Sequence, residues 1–398
     1  MKSYLFVFAV TIAALAGQAV PAQAQYGPGP YGYPGPAMLP ASPYGMAAPY
    51  GMAAPYGMPV GYDIAPPMAP PTQIQAPVVN GKGGCQKCCD PGFGKNCWFA
   101  YGEFLYLRPR NSEVAYGVAI DGATDTDPLV SPPIQVGRVG VVDIDSQPGF
   151  RFGAGRFLDE ATAIQIGYTD FYGNTVDQLT APAGGAVIRS LVSHPATFDV
   201  ASDNLDAVAD YDIQFQLIDA DYRSLFAYNC DYQLGYLLGV RYGEMRQRFD
   251  ALFSANGSEF VQSEVNYYGA GLRLGLEGER YAYHRNLFFY GKTYLSLLGG
   301  EAKARYVQGG SFDPVVVETQ WKAGKVVSIY DLELGAGWQN ECGNLRLSAG
   351  YLFSFWYNVV RTNEWINAVQ HNNFADPSDN FEGMMSFDGL TARVEVRW

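Results

Sequence analysis

The sequence predicts an all-β fold: a single antiparallel transmembrane β-barrel of about ten strands, within a range of about eight to fourteen. Three observations carry this. The first is the stretch Leu345–Val359, whose odd positions (Leu345, Leu347, Ala349, Tyr351, Phe353, Phe355, Tyr357, Val359) are all apolar, while the even ones include Arg346, Ser348, Gly350 and Asn358. A strand sends alternate side chains to opposite faces, and a membrane-crossing strand needs about 9–11 tilted residues. The second is that short and long connections alternate along the chain. The third is that aromatic residues gather at both ends of the strands.

Net charge is −13 and charge density is low, which argues against a basic nucleic-acid-binding face; no nucleic-acid partner is expected. After the first residues no apolar run reaches about 18, so no transmembrane helix is expected.

Residues 1–24 read as a secretory signal: Lys2, an apolar Tyr4–Ala16 core, and a small-residue Ala22-Gln23-Ala24 cleavage site. Residues 25–80 are a Pro/Gly/Tyr-rich linker in which Pro43–Ala48 repeats as Pro49–Ala54. Pro removes donors and Gly raises the entropy cost of order, so a flexible periplasmic spacer is expected; a grip on cell-wall polymer is the sharper alternative. Residues 81–97 form a Cys-rich connector. Cys85, Cys88, Cys89 and Cys97 lack standard zinc spacing, and the oxidising destination favours disulfides. Cys230 and Cys342 sit singly in turns.

From Trp98 to Trp398 the barrel is expected, with strands at 98–109, 142–157, 161–172, 210–227, 232–248, 262–280, 287–306, 326–339, 345–359 and 386–398. In 268–279 Tyr268, Ala270, Leu272, Leu274 and Leu276 oppose Gly269, Gly271, Arg273, Gly275, Glu277 and Glu279. The apolar face meets lipid and the polar, Gly-rich face a lumen. Short connections fall at Leu158–Glu160, Tyr228–Asp231, Tyr281–Asn286 and Asn340–Asn344; long ones at 110–141, 173–209, 249–261, 307–325 and 360–385. Short turns belong to the periplasmic side and long loops outside. One expected aromatic girdle holds Trp98, Tyr228, Tyr232, Tyr281, Tyr283, Trp338 and Trp398. The other holds Tyr172, Tyr211, Tyr267, Tyr268, Tyr306, Tyr330, Tyr357 and Phe387. The chain ends on Leu390, Ala392, Val394, Val396 and Trp398, a pattern similar to the terminal signal read by outer-membrane insertion machinery.

Trp98–Arg110, Gln147–Gly155, Gly239–Gln247, Gly269–Gly278, Tyr290–Gly299 and Ser386–Trp398 resemble the Legionella-type pore-forming outer-membrane protein family. The resemblance covers the chain from residue 98 onward. It implies a porin-like role in the outer membrane and no cofactor, and supplies no functional residues to carry over; outer-membrane lipid, from the apolar face, and the insertion machinery, from the last strand, are the expected partners.

By parity Arg241, Arg273, Lys292, Arg346, Arg393 and Arg397 point into the lumen, with Glu277, Glu279, Asp331, Glu333 and Glu395. An Arg or Lys facing lipid at midplane costs about 2–4 kcal/mol, which sets the side. At least one of Arg241 and Arg273 is expected to be matched by a carboxylate: Arg273 or Arg241 is expected to pair across the lumen with Glu277, Asp331 or Glu333. Eight strands leave an interior that side chains fill and about 16–18 leave a channel, so ten suggests a narrow pore or a closed barrel. No catalytic or metal site is expected and the chain is not read as an enzyme. A hydrolase would need His194 or His371 to meet Asp203, Asp206, Asp210 or Asp376; both histidines read more simply as solvated loop residues, and His284 lies in a short turn. The expected function is a passive channel for small hydrophilic solutes or ions; the alternative is a structural or surface-interaction barrel with a closed lumen.

Overall fold

The computed structural model describes residues 97–121, 134–197, 204–229, 231–255, 257–282, 286–311, 313–341, 343–371 and 381–398. The expected signal, the linker, and Cys85, Cys88, Cys89, Cys230 and Cys342 lie outside them, as do Tyr283, His284, Asp203 and Asp376. In chain order the strands are β1 (Trp98–Arg110), β2 (Val114–Asp121), β3 (Gln135–Val142), β4 (Gln147–Phe157), β5 (Thr162–Thr180), β6 (Ala186–Ser190), β7 (Asp206–Tyr228), β8 (Tyr232–Ser254), β9 (Ser258–Ala282), β10 (Leu287–Gly310), β11 (Val317–Gln339), β12 (Leu345–Val359) and β13 (Gly383–Arg397); helix α1 is Thr362–His371.

Ten of these strands close an antiparallel barrel in the order β1-β13-β12-β11-β10-β9-β8-β7-β5-β4, and β3-β2-β6 form a separate small sheet. Closure leaves no sheet edge for lipid to desolvate, the condition a membrane imposes on strands. The two ends of the chain meet at the seam: β1 pairs with β13 from Phe99↔Arg397 to Arg110↔Ser386, and the Trp98 N–H donates to the Trp398 carbonyl at 2.8 Å.

Each of the ten predicted stretches covers one barrel strand; 142–157 starts too early, its first residue lying on β3 and the barrel strand β4 beginning only at Gln147, while most of the others run longer than expected. The predicted long loops 249–261 and 307–325 are mostly strand: β8 reaches Ser254, β9 begins at Ser258, β10 reaches Gly310 and β11 begins at Val317. The alternation continues there with its polarity inverted. On β8 the outward residues Tyr236, Leu238, Val240 and Tyr242 give way to Glu244, Arg246, Arg248 and Asp250 on the same face, while the inward ones become Met245, Phe249, Ala251 and Phe253. The lower barrel is thus apolar outside and charged inside, and the upper barrel is the reverse. Water around the upper wall and a packed interior require that inversion. The loops 110–141 and 173–209 carry β2, β3 and β6, and 360–385 carries α1.

The lower girdle has Trp98, Tyr228, Tyr232, Trp338 and Trp398 exposed on the outer wall, while Tyr281 turns inward and donates to Glu279 at 2.7 Å. In the upper girdle Tyr172 and Tyr357 face outward. Tyr211, Tyr267, Tyr306 and Phe387 are instead buried inside, because they sit on the inward parity of the inverted segment. Leu390, Ala392, Val394, Val396 and Trp398 share the exposed outer face of the last strand.

Candidate functional site: the lumen

The inward charges of the lower barrel meet one another. Arg241 is 2 % exposed. It grips both oxygens of Asp219, at 2.6 and 3.0 Å, and donates to Asp331 Oδ2 at 2.9 Å. A guanidinium fork matches a carboxylate in this two-bond arrangement. Arg273 bonds Asp221 at 2.5 Å and lies 3.1 Å from Asp219, its face 4.2 Å from the Tyr294 ring. Arg223 pairs with Glu277, whose other oxygen accepts from Tyr294. Lys292 holds Glu333 at 3.2 Å, and Arg151 lies between Glu103 and Glu333 at 3.3 and 3.8 Å. Arg346 reaches Glu279 at 2.7 Å, and Glu395 takes both Arg393 and Arg397, at 2.8 and 2.7 Å.

Strand order shows how far these bonds reach. Arg241 and Asp331 are on β8 and β11, with β9 and β10 between; Arg346 and Glu279 are on β12 and β9, with β11 and β10 between. These two links therefore cross the lumen, while Arg241–Asp219, Lys292–Glu333 and Arg151–Glu103 join neighbouring strands and Glu395 holds its two arginines on its own strand. The named cations are Arg151, Arg223, Arg241, Arg273, Lys292, Arg346, Arg393 and Arg397. The named anions are Glu103, Asp219, Asp221, Glu277, Glu279, Asp331, Glu333 and Glu395. Eight face eight, so the network is formally neutral. Glycine makes room for the aromatics among them: a Cβ at Gly335 or Gly350 would lie 2.6 or 2.5 Å from the Tyr290 hydroxyl. Among these side chains lies a polar cavity of about 60 Å³.

Above the charges the interior is apolar. Phe215 on β7 and Trp356 on β12 stand 5.5 Å apart between ring centroids. Four strands separate them in either direction round the barrel, so they touch from opposite walls. Phe171 and Phe387 complete the layer, with Phe387 4.8 Å from Phe215. Helix α1 lies among these upper residues and buries Trp365, Ile366 and Val369 on one face. Inward Gln247 anchors its start, donating to the Val360 carbonyl at 2.8 Å and accepting from the Thr362 N–H at 3.2 Å. Gln370 straps the helix to the Leu191 and Ser193 carbonyls at 2.9 Å each.

The candidate histidines are not equivalent. His194 is buried, its N–H donating to Gln308 Oε1 at 2.8 Å and its Nδ1 accepting from the Ala196 N–H, so the expected solvated loop residue is a packed one. His371 is exposed, with Nδ1 2.7 Å from the Asn367 carbonyl. Cys97 packs against the Phe99–Phe157 cluster; its expected partners lie outside the described residues.

Parity reasoning on β1, β4 and β7 would also have found Glu103, Arg151, Asp219, Asp221 and Arg223. Asp219 and Asp221 alternate with outward Ile218, Ala220 and Tyr222 as clearly as Arg241 does with Val240 and Tyr242.

A family model described as the Legionella pneumophila major outer membrane protein precursor matches residues 94–397. No curated protein matches. Among solved structures, the outer membrane protease OmpT from Escherichia coli is similar at 11% identity and a TM-score of 0.43, covering 77% of this chain and 98% of that one. The Ralstonia pickettii toluene transporter TbuX is similar at 9% and 0.33, covering 76% and 89%. A Pseudomonas aeruginosa FadL homologue is similar at 9% and 0.25, covering 77% and 90%.

Proposed function

From the premise that the chain belongs to the Legionella major outer membrane protein family and lies in the cell outer membrane, we propose that it rests as a closed barrel acting through its surface, not as a standing pore. The observation that carries this reading is the contact between Phe215 and Trp356 from opposite walls. Buried aromatics that meet across the lumen stand against a continuous water path, and displacing them costs apolar burial. The charged network below adds a second seal.

A second reading, a passive channel for small hydrophilic solutes or ions, is supported by the polar cavity and the charged wall of the lower barrel. It requires the aromatic layer and α1 to move. Single-channel recording in planar bilayers separates the two. The closed reading expects no steady openings from the wild type and openings from a Phe215→Ala/Trp356→Ala variant. Steady wild-type conductance would overturn it in favour of the channel.

A further inference from the structure

Glu259, near the outer end of β9, is buried inside the upper barrel, and among the described residues no cation pairs with it. The chain carries no Lys or Arg in 190–222, 249–272 or 362–392, and Lys303 and Arg305 of β10 lie on its outer face. The groups around the carboxyl are neutral. Gln308 on β10 donates Nε2 to Glu259 Oε1 at 2.5 Å and to Thr197 Oγ1 at 2.7 Å, while its Oε1 accepts the His194 N–H at 2.8 Å. That backbone donor fixes which way the amide faces, so Glu259 Oε1 is always the acceptor. The Ser193 hydroxyl reaches the same carboxyl and lies 2.7 Å from Ser190 Oγ. The Tyr306 hydroxyl lies 2.8 Å from the Val192 carbonyl, and burial pushes the phenol up, which keeps it a neutral donor. The His194 ring accepts at Nδ1 from the Ala196 N–H at 3.1 Å. From β8 the residue opposite is Phe253. On α1, Glu364 is held by Arg361, and His371 is exposed. Together these bonds tie 191–197 to β9 and β10, and Gln370 ties α1 to the same loop.

We propose that Glu259 is a proton-operated latch on the plug: with a proton on its carboxyl, the loop 191–197 and α1 are locked in place, and loss of that proton loosens them. A neutral carboxyl donates to Ser193 Oγ while Oε1 still accepts from Gln308, so every bond survives without a buried charge. Ionised, the same pocket holds a charge that no cation balances, and burial opposes this, raising the carboxyl above its ordinary range. A carboxyl raised in this way gives stability that is complete below its unfolded pKa and is lost as pH rises through the folded one. In naming what releases the plug, the proposal rests on the closed-barrel reading; the latch bonds themselves do not.

The test follows hydrogen exchange, corrected for intrinsic rates, in the full-length barrel folded in phosphatidylcholine vesicles, from about pH 9 to about pH 5, a span that raised carboxyls cover. In wild type, protection of 191–197 and 362–371 rises as pH falls, by up to about tenfold per pH unit, the limit for one coupled proton. Glu259→Gln keeps an acceptor for Gln308 and offers an N–H to Ser193, so its protection is high and flat across the range. Wild-type protection that does not rise overturns the proposal, and this outcome needs no variant to fold. So does an undiminished response in Glu259→Gln, which would assign the effect to His194 or His371. Steady wild-type conductance in planar bilayers with the exchange response intact overturns the closed barrel and still supports the latch.

Discussion

Arg241 on β8 and Asp331 on β11 form a 2.9 Å ion pair across the lumen, past two intervening strands, with Asp219 clamped on the other edge of the guanidinium. Removing one member leaves a buried charge without its partner, at a cost of about 3–5 kcal/mol; replacing the whole group by apolar residues of similar volume is often near neutral. Asp219→Asn is therefore expected to destabilise the barrel by up to about that amount, because it takes the two-bond partner from Arg241, leaving only Asp331, and one of two carboxylates from Arg273. Arg241→Met combined with Asp219→Asn and Asp331→Asn is expected to recover part of the loss. Urea unfolding of vesicle-folded protein measures both, and a single variant as stable as wild type would contradict the network.

Depth along one strand gives the second prediction. Leu272 is 61 % exposed on the outer wall of β9, and Asn266 faces the same way three outward positions higher. Leu272→Arg is expected to cost about 2–4 kcal/mol in bilayers if it lies at midplane, falling to about 0–1 near the interface. Asn266→Arg, above the belt, is expected to cost almost nothing. Equal folding of the two variants into vesicles would argue against the assigned belt.

Helix α1 carries the third. Trp365→Ala removes a fully buried ring from the upper core, and Trp→Ala changes of this kind cost about 3–5 kcal/mol. Since α1 is held by Gln247 and Gln370, its loosening should raise hydrogen exchange in 362–371 and in the strapped loop at Leu191–Ser193, while amides of β1 and β4 near the seam keep their protection. Uniform loss everywhere would mean that α1 is not a separable plug.

The ten barrel strands were legible because alternation, connection length and strand-end aromatics agreed. The upper barrel was not, for a definite reason: equating apolar with outward holds only where lipid is the solvent. At Glu244 on β8 and Glu301 on β10 the outer solvent becomes water, and the same parity has to be read with the opposite sign. Tyr211, Tyr267 and Tyr306 were placed in a girdle because an aromatic near a strand end fits both a headgroup and a core. Only the neighbouring inward residues, such as Ile213, Val265 and Ala304, mark them as core. Arg241 and Arg273 were legible as inward charges. Asp219 and Asp221 needed only the same count on β7, but which partner each arginine takes depends on the register and stagger of strands far apart in sequence.

The last prediction concerns the small sheet. Arg138 on β3 makes two bonds of 2.9 Å to Asp177 on the upper part of β5, and Tyr116 on β2 donates to the same carboxylate at 3.0 Å. Burial opposes ionisation of Asp177, but the bonds from Arg138 and Tyr116 outweigh it and hold the carboxyl below its usual value of 3.8. Burial, then the bond to Asp177, pushes the Tyr116 phenol up, so it remains a donor through the alkaline range. A depressed carboxyl contributes stability that is present above its unfolded pKa and is lost as pH falls through the folded one. The clasp should therefore be intact at neutral pH and weaken below about 3.8. Arg138 is half exposed, so solvent screening limits the contribution to about 0.2–1 kcal/mol. Hydrogen exchange in β3, corrected for intrinsic rates, is expected to show protection falling by a few-fold between about pH 6 and about pH 2 in wild type. Arg138→Met starts at the lower protection and changes little over the same range. An identical acid response in the variant would place the loss elsewhere, in the lumen carboxylates, and remove Asp177 as its cause.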